Sequence, residues 1–95
     1  MNRQELRKID LNTIVIFERV MQELNVTRAA KSLGVSQPTV TAALNRLRDR
    51  LEDPLFIVGG RSIEPTSKAL FIYEELSPAL DELSRALSSL QSATS

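Results

Sequence analysis

The chain has 95 residues and no formal net charge, and it contains no Cys, His or Trp. Its 42% of hydrophobic residues predicts a folded domain, and its 4% of aromatic residues favours an aliphatic core between helices. Without Cys and His, the chain lacks disulfides, the common zinc ligands, a cysteine nucleophile and the usual neutral-pH base. We therefore expect the chain to have no enzymatic activity and to bind no metal ion and no cofactor. No apolar run reaches the length of a membrane span and no signal peptide opens the chain, which favours a cytoplasmic protein.

Charge is distributed unevenly along the chain. Residues 1–51 contain nine basic and five acidic side chains, whereas residues 52–95 contain three basic and seven acidic ones. A neutral chain with this division can still present a basic face to a polyanion. Ordinary solvated surface charge remains the alternative explanation.

The first long helix is predicted over Leu11–Leu24, with Asp10 or Asn12 as its N-cap. Its main apolar stripe recurs at spacings of three and four: Leu11, Ile14, Phe17, Met21 and Leu24. Ile16 and Val20 form a second apolar row. A single surface helix needs only one stripe, so the second row predicts another contact, with a helix or with a second subunit.

Two further helices and a tight turn follow. The segment from Thr27 to Leu33 is predicted to be a short helix capped by Thr27, with small residues that permit close packing, and it ends at Gly34. The next helix is predicted from Ser36 to Leu51, with Ser36 as its N-cap. Its buried stripe is Val40, Leu44, Leu47 and Leu51.

The spacing of Ala30, Gly34 and Val40 is typical of a DNA-binding helix-turn-helix. In that motif a small residue lets the helices cross, Gly forms the turn, and an apolar residue fills the gap between the helices. A plain helical hairpin in an unrelated bundle is the alternative.

A hairpin and a long helix are predicted next. Two short strands are predicted, over Leu55–Val58 and Arg61–Glu64, with a tight turn at Gly59-Gly60. Phe56 is expected to anchor this hairpin to the helical core. A helix over residues 66–90 then carries a coiled-coil seam made of Tyr73, Leu76, Leu80, Leu83, Leu87 and Leu90. Pro78 predicts a kink, or a fresh helix start capped by Ser77.

The predicted fold is therefore mainly α: a winged helix-turn-helix of three helices and a small β-hairpin wing, followed by a long dimerisation linker helix. The predicted domains are a DNA-binding domain over 1–65, the linker helix over 66–90 and a disordered tail over 91–95. Packing of the same seam on the first helix, within one chain, is the alternative to dimerisation.

The stretch TRAAKSLGVSQPTVTAALNRLRDRLEDPLFIV, residues 27–58, resembles the N-terminal region of LysR-type transcriptional regulators. Its SQPTVT and DPLF pieces carry the resemblance, and DPLF is similar to the branch with nodulation and aromatic-catabolism regulators. The resemblance implies a bacterial regulator and a large effector-binding domain that is absent here. Two departures are Val58, where the family usually has Arg, and Thr66-Ser67-Lys68-Ala69, where it has Thr-x-Ala-Gly.

Site residues follow from the predicted docking of the third helix in the major groove. The expected base-reading residues are Gln37, Pro38, Thr41, Ala42 and Asn45. The expected backbone contacts are Thr27, Ser36, Thr39, Arg46 and Arg48. Arg61 at the hairpin tip is expected to enter the minor groove. Several have another explanation: Ser36 and Gln37 as helix caps, Asn45 as a phosphate contact only, Thr39, Arg46 and Arg48 as solvated residues, and Arg61 as an ordinary turn residue.

The expected partners are double-stranded DNA with a palindromic operator and a second copy of the chain, bound through the linker helix. A small-molecule effector is expected only in the absent C-terminal domain, and a nucleoid-associated location follows from DNA binding. The competing functions are a helical dimeric adaptor that binds proteins without DNA and, more distantly, a small regulatory enzyme. An adaptor would expose an apolar patch where this chain places polar and basic residues.

Overall fold

The computed structural model describes residues 1–60 and 62–94, with side chains through residue 92. The elements, in chain order, are α1 (Arg3–Leu6), α2 (Leu11–Glu23), α3 (Val26–Leu33), α4 (Gln37–Leu51), β1 (Phe56–Gly59), β2 (Ser62–Pro65) and α5 (Ser67–Thr94). This order confirms the mainly helical fold with a two-stranded wing and a long C-terminal helix.

The core lies where α2, α3 and α4 pack together. Phe17 of α2, Ala29 of α3 and Val40 of α4 are all fully buried. Ile16 and Val20 belong to the same core, so the second apolar row of α2 makes its contact within the domain. The small side chains of α3 let its backbone lie close to both neighbours.

Local capping explains where α3 begins and ends. The predicted N-cap Thr27 is wrong: Asn25 caps the helix, its Oδ1 accepting from the backbone N–H of Arg28 at 2.9 Å. Leu24 adopts a left-handed conformation, with φ of 50°, and this brings Asn25 to the capping position. At the other end Gly34 has φ of 71°, a conformation that favours glycine.

The hairpin packs against the core through Phe56, as predicted. Strands β1 and β2 are antiparallel and pair Phe56 with Pro65 and Gly59 with Ser62. The Phe56 and Phe17 ring centroids are 6.0 Å apart, with ring planes inclined at 47°. β1 begins one residue later than predicted because Leu55 is fully buried with a positive φ. Arg61 lies outside the described residues.

A hydrogen-bonded joint connects the end of α4 to the start of α5. Asp53 Oδ2 accepts from the backbone N–H of Leu55 at 2.8 Å and from Thr66 Oγ1 at 2.7 Å. Thr66 Oγ1 also accepts from the backbone N–H of Ala69 at 3.1 Å and so caps α5. These bonds, above all the one from Thr66, lower the pKa of Asp53 below its ordinary value of 3.8.

Helix α5 is continuous through Pro78, so the predicted fresh start at Ser77 is wrong. The Ser77 hydroxyl instead donates to Glu18 Oε2 of α2 at 2.9 Å. That bond and the packing of Leu76 on the core hold the helix on α2 just before the proline. Residues 91–94, predicted as part of a disordered tail, are helical, and no Gly or Pro interrupts them.

The N-terminal helix α1 was not predicted. Its four residues show no helical repeat of apolar side chains, and the Asn2 side chain caps it by accepting from the backbone N–H of Glu5 at 2.8 Å. Leu6 and Ile9 face an apolar cavity of about 290 Å³ shared with α2, α4 and α5. No helix in the described ranges is both long and apolar enough to cross a membrane.

We expect Asp53→Asn to destabilise the domain at pH 7, because the ionised carboxylate is the form that the Thr66 and Leu55 donors stabilise. A lowered folded pKa contributes stability above the ordinary value of 3.8, and this contribution is lost as the pH falls through the folded pKa. The difference in Tm between wild type and variant should therefore shrink as the pH falls below 3.8. A difference that stays constant from pH 7 into acid would contradict this role.

Candidate nucleic-acid interface

The outer face of α4 forms one shallow, exposed depression of about 550 Å³. Its lining consists of the five residues that the sequence predicted for base reading: Gln37, Pro38, Thr41, Ala42 and Asn45. Polar amides and a hydroxyl alternate there with two small apolar surfaces. Such a surface can both exchange hydrogen bonds and contact a methyl group.

The orientation of this face is fixed by the opposite side of the helix. Val40, Ala43, Leu44 and Leu47 of α4 are buried. Because these residues fill the core, α4 cannot rotate about its axis without exposing them. The depression on the outer face is therefore held by the packing of the inner face.

Ser36 caps α4, which was one of the two roles left open for it. Its Oγ accepts from the backbone N–H of Thr39 at 3.2 Å and lies 2.8 Å from Thr39 Oγ1. Both hydroxyls are exposed at the helix N-terminus. The positive end of the helix dipole makes this end suited to an anion.

Thr27 of α3 lies beside Gln37 of α4. Its Oγ1 donates to Gln37 Oε1 at 3.4 Å, a long and therefore weak hydrogen bond. The contact places the start of α3 next to the start of α4. A predicted backbone contact and a predicted base contact are thus adjacent.

Arg46 is exposed on the flank of α4. It borders a second depression, of about 530 Å³, together with Lys8 and Arg50, and with Asp10 and Asp49 as acidic neighbours. Sequence reasoning did not single out Lys8 or Arg50. The four-residue spacing of Arg46 and Arg50 was the available signal for the second, whereas Lys8 comes close only through the fold.

Arg48, predicted as a backbone contact, is half-buried and bonded within the chain. Its Nε donates to the Pro54 carbonyl oxygen at 2.8 Å, and its Nη1 donates to Asn45 Oδ1 at 2.9 Å. The guanidinium therefore bridges the loop before the wing and a residue of the depression. It does not project outward in the way that Arg46 does.

Strand β1 of the wing exposes two apolar side chains, whereas Ser62 and Glu64 of β2 are exposed polar residues. Ile57 is 56% exposed and Val58 is 79% exposed, both on β1. The predicted wing residue Arg61 falls outside the described residues. The residues beside it, Gly60 and Ser62, are exposed.

The predicted seam on α5 is divided between two environments. Tyr73 and Leu76 pack against the domain's own core, and Leu80 is half-buried. Beyond this point Leu83, Leu87 and Leu90 are 41%, 51% and 62% exposed. Within the described residues, no group of three or more acidic side chains is placed to hold a metal ion.

Comparison with known proteins agrees with this geometry. Residues 11–70 match the family model of bacterial regulatory helix-turn-helix proteins of the lysR family. The chain is 44% identical over 80 residues to the HTH-type transcriptional regulator LeuO of Escherichia coli. The aligned region covers 84% of this chain and 26% of that protein. The chain thus spans about a quarter of the length of the curated relatives that it matches.

Two solved structures have the same fold. A probable transcriptional regulator from Pseudomonas aeruginosa superposes with a TM-score of 0.83 at 34% identity, over 90% of this chain and 28% of the other. The CbnR DNA-binding domain, solved in complex with DNA, superposes with a TM-score of 0.78 at 27% identity, over 90% of this chain and 99% of the other. The resemblance to LysR-type regulators predicted from residues 27–58 is confirmed.

We expect Ser36→Ala to lower the free energy of unfolding by about 1 kcal/mol, because the first turn of α4 loses its cap. Ser36→Asp retains an acceptor for the Thr39 N–H and should keep nearly wild-type stability, but its charge should weaken binding to duplex DNA. Urea denaturation and a DNA titration of both variants test this. An equal loss of stability in the two variants would rule out capping as the role of Ser36.

Proposed function

This chain belongs to the LysR family of bacterial regulatory helix-turn-helix proteins, and from that premise we propose that it is the sequence-specific DNA-binding domain of a transcription regulator. The observation that carries the proposal is the exposed depression on α4, where two amides, a hydroxyl and two small apolar residues lie on one face. These are the chemical groups with which proteins distinguish base edges in the major groove.

The N-terminal half of α4 enters the major groove. From Gln37 to Asn45 the helix rises about 12 Å, which corresponds to three or four base pairs. Gln37, Thr41 and Asn45 hydrogen-bond to base edges, while Pro38 and Ala42 contact thymine methyl groups. Apolar residues large enough to form a protein-docking patch are missing from this face of the described chain, which disfavours the adaptor alternative.

Phosphates are contacted around the ends of the helices. Ser36 and Thr39 present hydroxyls at the N-terminus of α4, and Thr27 does so near the N-terminus of α3. Arg46 supplies charge from the flank of α4, with Lys8 and Arg50 beside it. These contacts position the domain on the duplex without reading its sequence.

The wing contacts the minor groove through Arg61. Its position in the sequence, between the last residue of β1 and the first of β2, and the preference of narrow A·T-rich grooves for Arg support this role. Val58 supplies no charge on the wing, so Arg61 is its basic side chain.

Two copies of the chain pair through α5 and bind the half-sites of a palindromic operator. The exposure of Leu83 and Leu87 on one helix face supports this arrangement, since such leucines are stabilised by burial against a partner. A small-molecule effector would bind the part of the regulator that this chain does not include. The location would be the bacterial cytoplasm, at the nucleoid.

Selection from a random pool of duplexes tests the proposal. We expect enrichment of an interrupted palindrome, with affinity that falls steeply as salt rises because counterions are released from DNA. Gln37→Ala should lower the preference for the selected site by roughly 1–3 kcal/mol. Gln22→Ala, which alters an exposed glutamine of α2, is the matched control and should change nothing. Failure to enrich any sequence would overturn the proposal in favour of an adaptor.

The dimer requires its own test. We expect Leu83→Asp with Leu87→Asp to give a monomer in sedimentation equilibrium at micromolar concentration, because both charges would be buried in the pairing. Ser88→Asp with Ser89→Asp places the same two charges away from the seam and should remain dimeric. A dimer that persists in the leucine variant shows that pairing uses another surface.

A further inference from the structure

Arg48 bonds both to a residue on the outer face of α4 and to the loop that leads to the wing. We propose that Arg48 is a positioning residue for sequence specificity: it orients the Asn45 amide so that the –NH2 group is directed at the DNA. This inference rests on the proposed function, because it assigns a role within the same interface. It also replaces the earlier expectation that Arg48 binds a phosphate.

The chemistry of the two side chains determines the orientation of the amide. A guanidinium has only N–H donors, so it can bond to Asn45 solely through the carbonyl oxygen Oδ1. The 2.9 Å bond from Arg48 Nη1 therefore holds Oδ1 on the side of Arg48. The Nδ2 group, with its two donors, is left for the depression that Asn45 lines.

An amide held in this way favours certain bases. Guanine presents two acceptors, N7 and O6, in the major groove, whereas cytosine presents only an amino donor there. A bidentate contact with adenine requires the amide oxygen as well as the –NH2 group, and the Arg48 bond competes for that oxygen. We therefore expect Asn45 to favour guanine at the base pair that it faces.

The second bond of Arg48 makes it a rigid support. Its Nε donates to the Pro54 carbonyl oxygen at 2.8 Å, and its own carbonyl oxygen accepts from the backbone N–H of Asp53 at 3.2 Å. The planar guanidinium can make the bonds to Asn45 and Pro54 at the same time, in a fixed geometry. Lysine carries the same charge but lacks this fork, so Arg48→Lys separates geometry from charge.

Phosphate binding and positioning predict different results. If Arg48 binds a phosphate, removal of its charge weakens binding to all duplexes equally and reduces the dependence of affinity on salt. A positioning residue changes the preference at one base pair in each half-site. Arg48→Lys keeps the charge, so positioning predicts an unchanged salt dependence together with a lost preference.

The experiment uses the whole chain and the duplex selected by the wild type, with variants of that duplex at each base pair of the half-site. We expect Arg48→Lys and Asn45→Ala each to lose about tenfold discrimination at the same base pair. The double variant should lose no more than Asn45→Ala alone, because Arg48 acts through Asn45. Thermal melting of each variant verifies that it is folded.

A second variant keeps the inference testable if Arg48→Lys does not fold. Asn45→Asp retains an acceptor for Arg48 but replaces the –NH2 group with an oxygen, so the preference at that base pair should move to cytosine. An unchanged preference in Asn45→Asp, or additive losses in the double variant, would overturn the inference. If the wild type binds its palindrome selectively, either result leaves the proposed function intact. A wild type without selectivity would overturn both the inference and the proposed function.

Discussion

Burial of the inner stripe of α4 is the constraint on which the rest of the structure depends. Val40, Ala43, Leu44 and Leu47 fill the space between α2 and α3, and Ala29 and Ala30 of α3 are small enough to let that space close. A buried stripe fixes both the position of a helix and its rotation about its axis. The chemistry of the outer face can therefore vary without loss of the fold, because the core residues and the residues that line the depression occupy opposite sides of one helix.

Between α4 and α5, a few polar groups add to the buried side chains of Leu55, Phe56 and Ala69. Asp53 holds the start of α5 through Thr66, and Arg48 holds the preceding loop through Pro54. Lys68 adds a bond to the carbonyl oxygen of Leu51 at the end of α4. The hairpin packs on the core through Phe56 and Ile63, and these bonds help to define the direction in which it leaves the domain.

Local signals in the sequence were sufficient for most of the fold. The stripe on α4, the Gly34 turn and the Phe56 anchor were predicted correctly, since each depends on residues close together in the chain or on simple burial. On α2 the predicted main stripe was correct for the buried Phe17 and Met21, whereas its end residues Leu11 and Leu24 are exposed. The N-cap of α3 was missed because Asn25 and Thr27 are both good caps, and the left-handed Leu24 decides between them. Helix α1 has no apolar periodicity, and its position depends on contacts distant in sequence.

The candidate site was predictable in part for the same reason. The five residues on the outer face of α4 follow from helical spacing, and the structure places them together. The internal bonds of Arg48 could not be predicted because its neighbours on the helix indicate an exposed charge, whereas Pro54 comes within its reach only through the turn after Leu51. Likewise the repeat on α5 does not reveal that Tyr73 and Leu76 pack on the domain's own core while Leu83 and Leu87 are exposed.

Because only the first part of α5 packs on the domain, the length of this helix determines where its exposed part lies. The helix has 28 residues, is fixed to the domain at the fully buried Ala69, and projects beyond Leu80 without a break. Each residue added between these points would move the distal half by about 1.5 Å and rotate it by about 100°. A change of one residue would turn the exposed leucines away from their direction relative to α4, whereas a whole added turn would restore the angle and only lengthen the span. In the proposed dimer, the distance between the two copies of α4 is therefore set by the number of residues in α5.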